Sequence, residues 1–377
     1  MLRLSCAHLA CVMLLWPVAT LAQEVRRIEL APPNAVAAEQ FSSIRSVREL
    51  SDESLLVADG REQRLAVVDW NAGRVTDIAR AGGGPGEFQG VGFLYALSGD
   101  STLFTDMFNS RWSLLDHAAI VQTFPEWRPI NQQLGAALHG ADAYGHVLGT
   151  HEHSFSSELP APRRTRYEAD TLELVLGAWD GGQFETIALI KGPGTQVFST
   201  LMRPGRPMTI LPGTPYTTEE RALLFSDGWI ALARPEPYSV HWRTPDGRWI
   251  RGAPLPFEEI EVDDREKCVG LIYWLLTCEP YLDVVEGWPE TVPSFVVLGT
   301  LIRPTLFATP DGSVVITRMP TADAPNPRYD IVDRAGHMTG FISLRANEAL
   351  IGFGAHSVYV LSKDEFDLQT LERRPWP

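Results

Sequence analysis

Three observations predict an all-β chain, a six-bladed β-propeller of four-stranded antiparallel blades. They are a repeat with a period of 47 residues, short β-prone runs split by hairpin-type turns, and no competing helical period in the repeat region. The repeat is read by setting Arg48-Glu-Leu50-Ser-Asp-Glu-Ser-Leu55-Leu-Val-Ala-Asp59 above Tyr95-Ala-Leu97-Ser-Gly-Asp-Ser-Thr-Leu103-Phe-Thr-Asp106. Arg64-Leu-Ala-Val-Val-Asp69 then falls above Arg111-Trp-Ser-Leu-Leu-Asp116 without a gap. Leu50 aligns with Leu97, Asp59 with Asp106, Arg64 with Arg111 and Asp69 with Asp116. A fixed period of this size matches one four-stranded blade per repeat.

The first blade is predicted from Ile44 to Arg80, as runs at Ile44–Leu50, Leu55–Ala58, Leu65–Asp69 and Val75–Arg80. Ser-Asp-Glu-Ser, Asp-Gly-Arg-Glu-Gln and Trp-Asn-Ala-Gly separate them, and these are turn compositions. The second blade is the aligned copy. The third spans 138–190, with strands at Gly145–His153, Leu172–Trp179 and Phe184–Ile190 around a polar insertion. The fourth runs from Arg221 to Pro256 and the fifth from Leu306 to Leu344. The sixth, Ala349 to Arg373, shows only three strands. The isolated run Val25–Leu30 is expected to supply the missing one, closing the ring and protecting its edges. Segments 191–217 and 257–303 fit no blade and are read as insertions.

Gly82-Gly-Gly-Pro-Gly-Glu-Phe88 follows the last strand of the first blade. It resembles the Gly-x-Gly-Pro-Gly-Glu-Phe signature of a bacterial family of secreted six-bladed propellers, NHL-like and TolB-like in architecture. Leu-Val-Ala-Asp59, Arg64 to Asp69, Tyr238-x-x-x-Trp242 and Val358-Tyr-Val360 are similar too, so the likeness covers nearly the whole chain after its leader. That family carries no general activity, and the resemblance implies none. A phosphate-loop reading of the glycines fails, because no Gly-Lys-Ser/Thr opens a helix there. Gly84, Pro85, Gly86, Glu87 and Phe88 are instead expected to form a tight connection between blades, with Phe88 as a buried plug.

Residues 1–22 read as a secretory leader. Arg3 gives the positive start, Leu9–Leu15 the apolar stretch, and Thr20-Leu21-Ala22 the small residues before cleavage. The apolar stretch is too short to span a bilayer. Cys11 has no apolar stretch before it, which argues against a lipid-anchored form. Cleavage after Ala22 would leave 355 residues (377 − 22), exported to a periplasmic or extracellular setting as one propeller domain, 23–377. No later segment is long and apolar enough for a membrane helix, so the protein is expected not to span a membrane. The net charge is −15, or −16 once Arg3 is removed, and the strongest basic cluster is only Arg163-Arg164 with Arg166. Nucleic acid is therefore excluded as a partner. Cys268 and Cys278 survive processing, and an oxidising compartment permits a bridge between them if the chain turns. On one helix they would lie about 15 Å apart, too far to join.

The candidate ligand ring lies at the end of the second strand of each blade. It carries Asp59, Asp106, Arg234 and Arg318, with His151 in the third blade by looser alignment. Two acids and two arginines around one channel mouth suit a polar small molecule, a glycan or a protein. The competing structural reading makes each charge a lock on its own turn, since Asp59 with Arg64 and Asp106 with Arg111 share one spacing; Arg328 is placed with these repeat positions. His151 and His153 fall on one side of a strand, as chelation of a divalent metal would need; the third ligand is not identified, with His146, Asp59 and Asp106 as the candidates. Asp263–Pro280 reads as a helix, with Asp263-Asp264 at its start and Val269, Ile272 and Leu276 at helical spacing. It is a candidate lid in which Tyr273 or Trp274 would touch a ligand. No catalytic motif appears, no cofactor is implied, and a binding scaffold is favoured over a metal-dependent lactonase, lyase or hydrolase.

Overall fold

The computed structural model describes residues 25–377 except 83, 85, 107–110, 126–137, 153–154, 160–163, 181–182, 204–205, 211–215, 276–277, 280–281, 284, 286 and 296–303. The leader, Pro85 and His153 lie outside the described residues. The chain forms six antiparallel blades arranged as a propeller. Their inner strands are Ile44–Glu49, Val91–Ala96, Leu138–Ala141, Arg221–Leu224, Leu306–Ala308 and Glu348–Phe353. Each neighbours the next around the ring, and the last meets the first.

Blade one adds Leu55–Asp59, Arg64–Asp69 and Arg74–Ala81 to its inner strand, and blade two adds Ser101–Asp106, Arg111–Asp116 and Ala119–Pro125. Leu55 faces Glu49 and Asp59 faces Ile44 in blade one, while Asp106 faces Val91 in blade two. A four-stranded blade has two faces to bury, so hydrophobic residues are needed on both sides of each inner pair. Accordingly Leu55–Asp59 is buried throughout. The core is divided into slabs, one between each pair of neighbouring blades. Leu56, Leu65, Phe88 and Phe104 fill the slab between blades one and two, and Ile44, Leu55, Tyr359 and Leu371 fill the one between blades one and six. The other four interfaces each have a cluster of their own.

The ends of the chain are arranged differently from the sequence expectation. Arg26–Ile28 pairs in parallel with Gly340–Ile342, on the outer strand of blade five rather than blade six. The fourth strand of blade six is Ala35–Val36, antiparallel to Glu372 and Arg373. Phe41 then bridges to Gln369. Two residues carry no periodicity, whereas Val25–Leu30 has the composition of a full strand; composition pointed to the wrong segment.

Blade three departs from the repeat. Its third and fourth strands, Arg164–Ala178 and Phe184–Arg203, run on past the end of the second, His146–Glu152, and are flanked by Phe155–Leu159 and Arg206–Ile210. Much of segment 191–217 is therefore a continuation of the blade's fourth strand with an added hairpin partner. Segment 257–303 contains the helix Asp264–Leu275, capped by Asp263 accepting the Glu266 N–H at 2.9 Å. Cys268 and Cys278 are bridged, with Cα atoms 4.9 Å apart, which one continuous helix would not allow; the helix carries only the first of them. No described helix is long and apolar enough to cross a membrane.

Candidate functional site

The charged positions at the ends of the second strands are engaged in bonds within the propeller. Asp59 is fully buried. Its carboxylate accepts the backbone N–H groups of Ser42, Ser43, Arg61 and Glu62 at 2.7 to 3.1 Å, tying the approach to the inner strand to the turn after the second. Asp106 does the same with Gln89 and Gly90, and also accepts from Arg111 Nε at 3.2 Å. The equal spacing of the two Asp/Arg pairs is not matched by equal contacts. Arg64 turns to Asp77 and to Glu39, the latter at 2.6 Å.

Arg318 donates to Asp330 at 2.7 Å and lies over the rings of Tyr238 and Phe257, at 5.0 and 4.8 Å. Arg328 donates to the other Asp330 oxygen at 2.8 Å, and the Tyr238 hydroxyl donates at 3.1 Å. Asp330 is fully buried, and it joins blades four and five. Burial, followed by the Asp330 charge, keeps the Tyr238 hydroxyl protonated well above the ordinary range. Arg234 bonds to Glu220, whose other oxygen accepts the Lys191 N–H at 3.0 Å. His151 lies 3.5 Å from Glu173. Asp59, Asp106, Arg234 and Arg318 thus each hold a partner of their own within the propeller. Among the described residues no three His, Cys, Asp or Glu side chains converge as metal ligands would.

The connection between blades one and two has Gly86 at φ +74°, a left-handed conformation that suits glycine. The Gly84 N–H donates to Glu87 at 2.9 Å, and Phe88 is buried edge-on to Phe104. The helix Asp264–Leu275 packs on the loop between the second and third strands of blade five, where buried Glu266 accepts the Ala322 N–H at 3.0 Å, and on the approach to blade four, where the Tyr216 hydroxyl donates to the Glu266 carbonyl. Among the described residues the helix contributes nothing to the wall of the central cavity. Tyr273 is exposed.

That cavity, about 950 Å3, occupies the propeller axis, and all six blades line it. Leu50, Tyr95, Leu223, Phe307 and Phe353 supply apolar wall from five of them. Its buried charges come from Arg48 in blade one, Asp106 in blade two and Arg221 in blade four, the last bonded to Glu219 at 2.6 Å. Blade three contributes His139, whose Nε2 is 3.1 Å from the Thr150 hydroxyl. Burial and the Arg221 charge push its imidazole down to about 3, so it is neutral. Burial also lowers the Arg48 guanidinium to about 10, offset in part by Asp100, and it stays charged at neutral pH. Sequence reasoning passed over Arg48, His139 and Arg221. The available signal was a polar residue in a short inner strand, and in blade one Arg48 is only one of four, with Arg45, Ser46 and Glu49.

No protein-family model matches the sequence, and no curated protein matches it. Solved structures do. A candidate exported protein of Bacteroides fragilis superposes with a TM-score of 0.50 at 10% identity, covering 94% of this chain and 95% of the other. A DUF4221 family member from Bacteroides vulgatus gives 0.45 at 10% identity, over 91% and 99%. An inactive virginiamycin B lyase from Staphylococcus aureus, solved with quinupristin, gives 0.42 at 9% identity, over 89% and 98%. At such identities the likeness concerns the fold alone.

Proposed function

We propose that this chain is an exported binding scaffold of the NHL-like and TolB-like kind, taking a small ligand in its central channel. One observation carries the reading: the axial cavity of about 950 Å3 has walls from all six blades and buried polar groups among apolar ones. Ligand sites have this character, a concave apolar wall with a few placed polar groups. The charges at the ends of the second strands support the same choice, since Asp59, Arg234 and Arg318 already hold internal partners and lie outside the cavity wall, while Asp106 lines it. Export rests on the leader-like residues 1–22 and suits the Cys268–Cys278 bridge.

The test fills the channel. Leu223 is half-buried in the wall, and Leu223→Trp would occupy the axis. Ligands found by thermal-shift screening of the purified protein should lose binding in Leu223→Trp and keep it in Arg234→Met. The opposite pattern would move the site to the rim.

A further inference from the structure

Arg48 is a buried cation with no carboxylate partner. Its guanidinium is held by blade two, where Nη1 donates to the Asp100 and Ser101 carbonyls at 2.9 and 2.7 Å and to the Thr102 hydroxyl. Nη2 donates to the Gly99 carbonyl at 2.6 Å. These acceptors are all uncharged. A guanidinium has five N–H donors. The Nε donor and one on Nη2 have no acceptor among the described residues, and the residue lines the axial cavity.

Three acidic residues line the same cavity, Glu49, Asp100 and Asp106, and each bonds elsewhere, Asp106 to the Gln89 and Gly90 N–H groups and to Arg111. Asp100 accepts the Ser51 N–H at 2.8 Å and the Ser51 hydroxyl at 2.7 Å, with His117 at 3.4 Å. Glu49 accepts the Ala355 N–H at 2.7 Å and the Tyr359 hydroxyl. A charge taken out of water without an ion-pair partner is costly, and the carbonyl clamp and the more remote charge of Asp100 meet only part of that cost. The clamp also fixes the guanidinium plane in place, as recognition of a planar anion requires. Around it the wall is aromatic and aliphatic, with Tyr95 and Leu97 from blade two and Phe353 from blade six.

We infer that the channel ligand is an amphipathic organic carboxylate, with its anionic head on the guanidinium of Arg48 and its apolar body along the channel axis. The inference rests on the channel reading above and adds the ligand's charge and orientation. Arg48 is the counter-charge, and the inner-strand side chains are the apolar sleeve. A neutral molecule of the same shape would leave the cation uncompensated and would bind more weakly.

The experiment compares 6-bromo-2-naphthoate with its carboxamide on the purified full chain, by calorimetric titration. The carboxylate should bind at least about tenfold more tightly, as a charge-assisted bond to a buried group requires. Arg48→Met should remove that preference while leaving the carboxamide unchanged, and Arg48→Lys should keep part of it. Because Arg48 also braces blade two, its variants must first show the parent melting temperature. A crystal of the unsubstituted protein with the bromo compound needs no variant, since anomalous scattering from bromine fixes the pose. A carboxylate within about 3.5 Å of Arg48 supports the inference. Equal binding of both compounds in the channel, or a pose with the carboxylate away from Arg48, overturns the inference and leaves the channel reading standing. Binding of both outside the channel, or of neither, overturns the channel reading and with it the inference.

Discussion

Glu49 on the inner strand of blade one accepts the Tyr359 hydroxyl from the second strand of blade six. Its other oxygen accepts the Ala355 N–H at 2.7 Å. The first and last blades are therefore latched by side chains at the hub as well as by backbone pairing at the perimeter. Burial, followed by the Glu49 bond and charge, holds the Tyr359 hydroxyl protonated far above its ordinary range. Tyr359→Phe removes one bond to a charged acceptor, and about 1.5 to 3 kcal/mol of stability should go with it. Chemical denaturation of the variant checks this, and a loss below about 0.5 kcal/mol would mean the hub latch contributes little.

The perimeter closure predicts an ordering of truncations. Deletion through Leu30 removes the strand paired to blade five. Deletion through Ala38 also removes Ala35–Val36 and exposes the outer strand Gln369–Pro375 of blade six. The longer deletion should lower the melting temperature clearly more, because it leaves an unpaired edge and its backbone donors. Equal melting temperatures for the two truncations would remove Ala35–Val36 from the closure.

Asp59 should matter more than its place at a turn suggests. Asp59→Ala leaves four backbone N–H groups near a buried site without their acceptor, and a loss of about 3 kcal/mol or more is expected. Asp59→Asn keeps one acceptor oxygen and should lose less. Urea denaturation of the two variants gives the order, and equal losses would show that the charge and not the acceptor geometry is at work.

His139 sets an acid sensitivity. Its folded-state pKa is about 3 against an ordinary 6.5, so between those values the unfolded chain binds a proton that the folded one does not. Stability from this group is complete above pH 6.5 and is lost as the pH falls, by up to about 1.4 kcal/mol per unit. His139→Leu should flatten the decline in stability between pH 6.5 and 4.5 measured by denaturant titration. An unchanged slope would mean that the folded protein admits the proton.

Repetition made the blades legible. Asp59 and Asp106 recur at one spacing, and both anchor the approach to an inner strand. Arg48 was hidden for the same reason. It aligns with Tyr95, whose hydroxyl donates to the Leu138 carbonyl at 3.2 Å, so both side chains brace the next blade. Only three-dimensional placement shows that Glu49 and Asp100 bond elsewhere and leave Arg48 without an ion pair. The length of the strands in blade three was also out of reach, because a polar β-strand and a polar loop differ little in composition.

The ring is closed by residues made at opposite ends of synthesis. Asn34 and Arg373, whose side chains meet at 3.4 Å, lie 339 positions apart. At about 5 to 20 residues per second the early segment waits tens of seconds for its partner to be made. During that interval blade six does not exist, blade one has one uncovered flank, and the nascent chain is at its most vulnerable to proteases and to pairing with other chains. The time spent unclosed, more than the stability of the finished ring, is then what a host cell must manage when it makes this protein.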